Sequence, residues 1–378
     1  MLRLRADRVF TGSEMLTPGE LVLDGDRVVS VSPRTGLTTG EDRPEQAGPD
    51  EVVDLGDVTL APGLVDVHSH GGGGFAFPED VDAVLAAHRA HGTTTMVAST
   101  VTQSLDELDR QVRLLAERVR DGSLAGIHLE GPWLAEKYKG AHPVDKLRDP
   151  LVDEVARLLD AGEGAVRMVT IAVEKPGAIE SVRLMAERGA VAALGHSDST
   201  YEQAVEAIDA GVTGATHLFN AMPGLHHRTP GPILALLEDD RVWCELIVDG
   251  VHLRPELAAW VMGASDRIVL VTDAMAATGC ADGAYVLGDL DVDVVEGVAR
   301  IHGTDTIAGS TLVLSRGVRV AIEAGVTPEV ALQAATRNPA RYLALEGVGE
   351  FVPGARADAV VFAPDWTVDR VLFGGAWQ

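Results

Sequence analysis

From residue 64 to residue 272 the chain alternates short apolar runs with stretches of helical spacing, and that alternation predicts the fold. The runs fall at 64–67, 94–99, 125–129, 166–173, 190–194, 214–218, 242–248 and 267–272. Between the first two, residues 80–90 set Val81, Val84, Leu85 and His88 on one helical face. Residues 105–119 do the same with Leu105, Leu108, Val112, Leu115 and Val119. Eight strands, each followed by a helix or a long loop, match an α/β chain folded as a (β/α)8 TIM-like barrel. Periodicity does not show closure, so an open doubly wound sheet stays as the alternative.

The flanks have another character. Residues 2–10 and 21–31 read as short strands, the second bent at Asp24-Gly25-Asp26, a hairpin signal. Residues 33–50 are rich in Pro, Gly and acids and read as a long exposed loop. Beyond the eighth run, 284–301 looks like an inserted hairpin turning at Glu296-Gly297. Two helices follow, 310–324 and 327–342, the second opened by Thr327-Pro328-Glu329, an N-cap with proline at the first helical position. Segments 358–362 and 368–372 return to strand pattern. The expected organisation is a small β-sandwich built from residues 1–60 and 346–378, with the barrel, 61–345, inserted between its two parts.

Composition narrows the function. At 46% hydrophobic and 23% charged residues over 378 positions, the chain is ordinary globular protein with ample material for a core. No apolar run approaches the length of a membrane span. Residues 1–17 interleave arginines and an aspartate with their apolar residues, unlike a signal peptide. Cys244 and Cys280, the only cysteines, form no close pair, which fits a cytoplasmic setting. A net charge of −26 argues against nucleic acid and anionic membrane as partners. It leaves room for a small anion, provided a local basic cluster receives it.

Candidate chemistry gathers where a barrel places it, at the carboxyl ends of the strands. The first run closes on Asp66, His68 and His70 before four glycines; in an extended chain residues two apart leave the same face, so both imidazoles can serve one ion. Later runs end at Glu130, His196, His217, the pair Asp249 and His252, and Asp273. Imidazole and carboxylate ligands suit a divalent transition metal, one that lowers the pKa of a water to about 7. A neighbouring carboxylate, for which Asp273 is the candidate, can take that proton and return it to a leaving group.

These stretches resemble the amidohydrolase superfamily, and within it the N-acetylglucosamine-6-phosphate deacetylases. The resemblance runs through Pro62-Gly63-Leu64-Val65-Asp66-Val67-His68-Ser69-His70-Gly71, His128-Leu129-Glu130-Gly131-Pro132 and Lys139-Gly140-Ala141-His142-Pro143. It continues through Gly195-His196-Ser197, Thr216-His217-Leu218-Phe219-Asn220-Ala221-Met222, Asp249-Gly250-Val251-His252 and Thr272-Asp273-Ala274. It implies a principal metal on Glu130, His196 and His217, and a second completed by His68 and His70 with Glu130 bridging. One or two divalent ions are expected, Zn²⁺ foremost, with Fe²⁺, Mn²⁺ or Co²⁺ accepting the same ligands. Lys137 and Lys139 lie in a loop after Glu130 and are not expected to form a carboxylated-lysine ligand. His142 is implied as the group polarising the acetamide carbonyl, and Asn220 and Ala221 as backbone donors to the ligand. Arg228, with His227 and His252, is implied as the phosphate pocket, in which a contact can come from the neighbouring subunit of a homodimer. The implied reaction is hydrolysis of N-acetylglucosamine 6-phosphate to glucosamine 6-phosphate and acetate. Deacetylation of N-acetylgalactosamine 6-phosphate or of an N-acyl amino acid stays open, as does a non-catalytic sugar-phosphate sensor.

Overall fold

A computed structural model describes residues 1–34 and 51–378. The expected loop 33–50 falls almost wholly outside the described residues. Eight parallel strands form one sheet in chain order: β1 (Leu64–Ser69), β2 (Thr93–Thr100), β3 (Gly126–Glu130), β4 (Val166–Ile171), β5 (Val191–Leu194), β6 (Val212–Ala215), β7 (Trp243–Ile247) and β8 (Ile268–Val271). The helices that follow them are α1 (Val81–Arg89), α2 (Leu105–Arg120), α3 (Val152–Ala161), α4 (Ala178–Glu187), α5 (Tyr201–Ala210), α6 (Gly231–Glu238), α7 (Pro255–Ala264) and α8 (Leu314–Glu323). This is the (β/α)8 barrel, and the open-sheet alternative falls.

Closure is visible at the seam between β1 and the end of β8. The Asp273 N–H donates to the His68 carbonyl at 2.9 Å, and the His70 N–H to that of Ala274 at 2.7 Å. Where the ladder is incomplete a side chain serves: the Asp66 carboxylate accepts from the Thr272 hydroxyl (2.5 Å) and the Thr272 N–H (3.3 Å). Burial pushes the Asp66 carboxyl up to about 6, against the hydrogen bonds that hold it down.

The outer layer shows why these segments are helices. In α2, Leu108, Val112, Leu115 and Ala116 face the barrel, while Ser104 caps the start by accepting from the Glu107 N–H. Thr200 and Gln203 form a reciprocal capping box on α5. Inside the barrel, Val65, Val67, Val97, Met168, Ala193, Ile247, Val269 and Val271 pack as one apolar cluster.

Two boundaries differ from the expectation. The strand expected at 214–218 occupies Val212–Ala215, because the chain leaves the ladder where His217 and Phe219 take positive φ. The helix expected over 327–342 is two, α9 (Pro328–Ala335) and α10 (Arg337–Tyr342). Pro339 in a continuous helix would clash with the carbonyl of Ala335, and the break at Thr336 places it in a first turn.

The flanking strands form two sheets. One pairs Arg27–Pro33, Gly19–Asp24, Leu2–Ala6 and Glu51–Asp54; the other joins head to tail, with Ala359–Phe362 antiparallel to Thr59–Pro62. Leu4, Val9, Leu21, Leu60, Phe351, Val361 and Leu372 share one core between them. The run expected at 2–10 breaks at Asp7 and sends its halves to different sheets, while the hairpin turns at Gly25-Asp26. The insertion after β8 has three strands, Gly283–Leu287, Leu290–Val295 and Val298–Ile301, folded over the carboxyl ends of the barrel.

Candidate active site

The strand ends converge as the sequence predicts. A cavity of about 170 Å³ is lined by His70, Glu130, His142, His196, His217, Asn220, Ala221, His252 and Asp273, with Leu287 of the inserted hairpin and Ile307 closing one side. Of the nine non-glycine residues with positive φ among the described residues, four line this cavity, His196, His217, Ala221 and Asp273, and a fifth, Phe219, lies in the turn between His217 and Ala221. Each costs about 1–3 kcal/mol, strain that persists where the surroundings fix a functional geometry.

A bulge re-aims the first ligand. Between the pairs Asp66–Met96 and Ser69–Ala98, β1 carries one residue more than β2. Val67 and His68, neighbours in sequence, thus both face the barrel interior, one in the apolar cluster and the other toward Glu130. The following glycines act differently from one another. Gly73 and Gly74 hold positive φ, whereas a Cβ on Gly71 would meet the Phe75 carbonyl at 2.3 Å. His88, which the helical spacing places on the apolar face of α1, is buried and bonds the Gly71 carbonyl at 3.0 Å.

Glu130 stands at the centre. Its Oε1 lies 3.2 Å from His196 Nε2 and 3.0 Å from His217 Nε2, and its Oε2 lies 3.0 Å from His70 Nε2. Asp273 Oδ1 is 3.2 Å from His70 Nε2 and 3.5 Å from His68 Nε2. Two clusters of possible ligands result, one of His68, His70, Glu130 and Asp273, the other of Glu130, His142 and His196. Asp273, the candidate proton carrier, also stands within the first cluster.

The donor set fits a cation. His196 Nδ1 donates to the Tyr138 carbonyl at 2.7 Å, and His68 Nδ1 to Glu245 Oε2 at 3.0 Å. As neutral rings, both then turn an Nε2 lone pair toward carboxylate oxygens, and the buried His68 Nε2 has no hydrogen-bond partner among the described residues. Lone pairs facing carboxylates need a positive charge between them. The titration tendencies agree: burial pushes His70 down, yet the Asp273 and Glu130 carboxylates hold it at about 9. Glu130 is held well below the usual carboxylate range by His68, His196 and His217 against its burial, and Asp273 is brought to about 2 by His68 and His70.

His142 is set apart. Its Nδ1 accepts from the Thr102 N–H (3.4 Å) and lies 2.8 Å from the Thr102 hydroxyl, which leaves the proton on Nε2. Burial first, then the neighbouring His196, pushes it down to about 3, so the ring offers a neutral N–H donor. The Asn220 N–H is taken by the His217 carbonyl at 2.9 Å, so of the two expected backbone donors only Ala221's is left for a ligand. His252 faces the cavity with Nδ1 bonded to Asp249 at 2.8 Å. Arg228 and His227 do not reach the cavity: they lie on an exposed loop, 2.7 Å from each other. Lys137 pairs with Asp198, and Lys139 bonds the Gly140 and His142 carbonyls, so neither approaches the ligands as a carboxylated lysine would.

Residues 59–377 match the amidohydrolase family. The chain belongs to it. Among relatives of this amidohydrolase, the N-acetylgalactosamine-6-phosphate deacetylase of Escherichia coli O157:H7 is 38% identical over 327 residues, 84% of this chain and 86% of that one. The N-acetylglucosamine-6-phosphate deacetylase of Vibrio furnissii is 34% identical over 384 residues, 98% and 93% of the two chains. The N-acetyl-D-glucosamine-6-phosphate deacetylase of Mycobacterium smegmatis, solved as an aspartate-to-alanine mutant with N-acetyl-D-glucosamine-6-phosphate, superimposes with a TM-score of 0.93 at 47% identity. That match covers 100% of this amidohydrolase and 98% of the other chain.

Sequence reasoning missed Thr102 and Glu245, which orient His142 and His68. Thr102 carries no signal of its own. Glu245 has one: a lone acid inside the apolar run 242–248.

Proposed function

We infer that this amidohydrolase removes the acetyl group of N-acetylglucosamine 6-phosphate, giving glucosamine 6-phosphate and acetate. The observation that carries the reading is the meeting of a cation-demanding ring, a neutral N–H donor and the Asp273 carboxylate in one cavity. The relatives bear the substrate class. Deacetylases of both 6-phosphorylated N-acetylhexosamines stand among them, and the 47% identical structure is of the glucosamine type.

Glu130, His196 and His217 would hold one divalent ion, taken to be zinc, and His68 and His70 a second with Glu130 shared. When bound, such an ion polarises the carbonyl and makes a water nucleophilic at neutral pH. His142 Nε2–H supports the carbonyl oxygen as negative charge develops on it. Asp273, ionised at neutral pH, accepts the proton released by the attacking water and hands it to the departing amine. Pure binding would have no use for a proton shuttle, which speaks for catalysis.

His252 would face the sugar phosphate inside the cavity. Arg228 and His227, exposed on their loop, would meet the phosphate by loop closure or from the second subunit of a homodimer; a guanidinium binds phosphate oxygens in bidentate fashion. The two terminal segments, 1–60 and 346–378, are taken as one unit and 61–345 as the catalytic one, in a cytoplasmic enzyme. Steady-state deacetylation of N-acetylhexosamines with and without 6-phosphate tests the reading.

A further inference from the structure

Glu245 is a carboxylate in the wrong place for a structural residue. It lies on β7, fully buried in a barrel interior that Val67, Ile247, Val269, Val271 and Tyr342 share with the buried His128. A buried charge is costly unless something is gained from it. Its Oε2 lies 3.0 Å from His68 Nδ1 and accepts weakly from the His217 N–H at 3.3 Å, while Oε1 makes no close hydrogen bond among the described residues and the buried Tyr342 hydroxyl is the other polar group beside the carboxylate. Among the described residues no Lys or Arg pairs with it, so the carboxylate serves the imidazole rather than an ion pair with a fixed cation. His68 in turn is fully buried, and its Nε2 stands 3.5 Å from both Glu130 Oε1 and Asp273 Oδ1.

A ring in that position has two tautomers, and only one is useful. With the proton on Nε2, His68 would present N–H to the carboxylates and occupy the space of a cation. With the proton on Nδ1, the lone pair points at that space. An acceptor at Nδ1 decides between them. Resting on the two-ion reading above, we propose that Glu245 is a positioning residue that fixes His68 in its Nδ1–H tautomer. It thereby sets how tightly the ion beside His68, His70 and Asp273 is held. At the first ion, on Glu130, His196 and His217, the His196 ring is oriented by the Tyr138 carbonyl, and Glu245 reaches that site only through the backbone N–H of His217, not through a ligand ring.

The test has two readouts, neither involving sugar. The first uses zinc-loaded wild-type chain labelled with ¹⁵N-histidine, the His68 signals being assigned by their loss in His68→Asn. The proposal expects the His68 proton on Nδ1; a proton on Nε2 overturns it. The second is zinc uptake measured in competition with a chromophoric chelator. Glu245→Leu is expected to hold the weaker of two ions about 10–100-fold less tightly and the other unchanged. Glu245→Gln keeps a carbonyl acceptor and is expected to stay near wild type. Wild-type uptake by folded Glu245→Leu, loss of the weaker ion by Glu245→Gln as large as that in Leu, or uptake of only one ion by the wild type each overturns the proposal. Should Glu245→Leu not fold, the tautomer and the Gln variant still decide. Failure to deacetylate the sugar would strike the functional reading and leave these results standing.

Discussion

His196 Nε2 and His217 Nε2 lie 3.1 Å apart, and each is within 3.2 Å of the same oxygen, Glu130 Oε1. With His196 Nδ1 committed to the Tyr138 carbonyl, its Nε2 lone pair faces that oxygen, a repulsion that a cation between them relieves. Chelation should therefore lower the melting temperature, and Zn²⁺ should restore it. An ion at a hundred times its Kd contributes about 2.7 kcal/mol, a shift of several degrees. A melting curve indifferent to chelator and zinc would contradict the metal site.

Asp273→Asn preserves the shape of a side chain whose carboxylate is held at about 2, yet cannot accept a proton. We expect kcat to fall by about 10²–10⁴ while metal analysis still finds the ion on Glu130, His196 and His217. Turnover close to wild type would remove Asp273 from proton transfer.

Arg228→Ala should raise KM for the phosphorylated sugar by about 10–100-fold, the worth of a charged hydrogen bond, with little change in kcat. Comparison with unphosphorylated N-acetylglucosamine isolates the phosphate. An equal effect on both substrates would show that this exposed loop does not read the phosphate.

His88 supplies a prediction about acid. Burial, and to a lesser degree His91, lowers its pKa from 6.5 to about 4, against the bond to the Gly71 carbonyl. Between those values the unfolded chain takes up the proton and the folded chain does not, so stability is lost as pH falls from about 6.5 toward 4. The slope is at most about 1.4 kcal/mol per pH unit from this residue. His88→Gln keeps a donor for Gly71 and should flatten that part of the profile in denaturant melts. A slope equal to that of wild type would assign the acid sensitivity to other groups.

Much of this was legible in the sequence because strand ends announce themselves. His68, Glu130, His196, His217 and Asp273 each close an apolar run, and a barrel brings all such ends to one rim. What was hidden depends on backbone detail that periodicity does not carry. The bulge that turns His68 inward beside Val67 is one extra residue against β2, invisible without the partner strand. Thr102 and Glu245 act on histidines 40 and 177 residues away, a relation that only the fold creates. The loss of the Asn220 N–H to the His217 carbonyl belongs to a tight turn whose positive φ values no residue type demanded. The Arg228 loop stays outside the cavity within one chain, so its role depends on a closure or a partner that strand patterns do not describe.

The most direct measurement is steady-state release of acetate by the zinc-loaded chain from N-acetylglucosamine 6-phosphate, N-acetylgalactosamine 6-phosphate and unphosphorylated N-acetylglucosamine. The account predicts the highest kcat/KM on N-acetylglucosamine 6-phosphate, with acetate and glucosamine 6-phosphate formed in equal amounts. No turnover of that sugar, or a higher kcat/KM on either of the others, would contradict it.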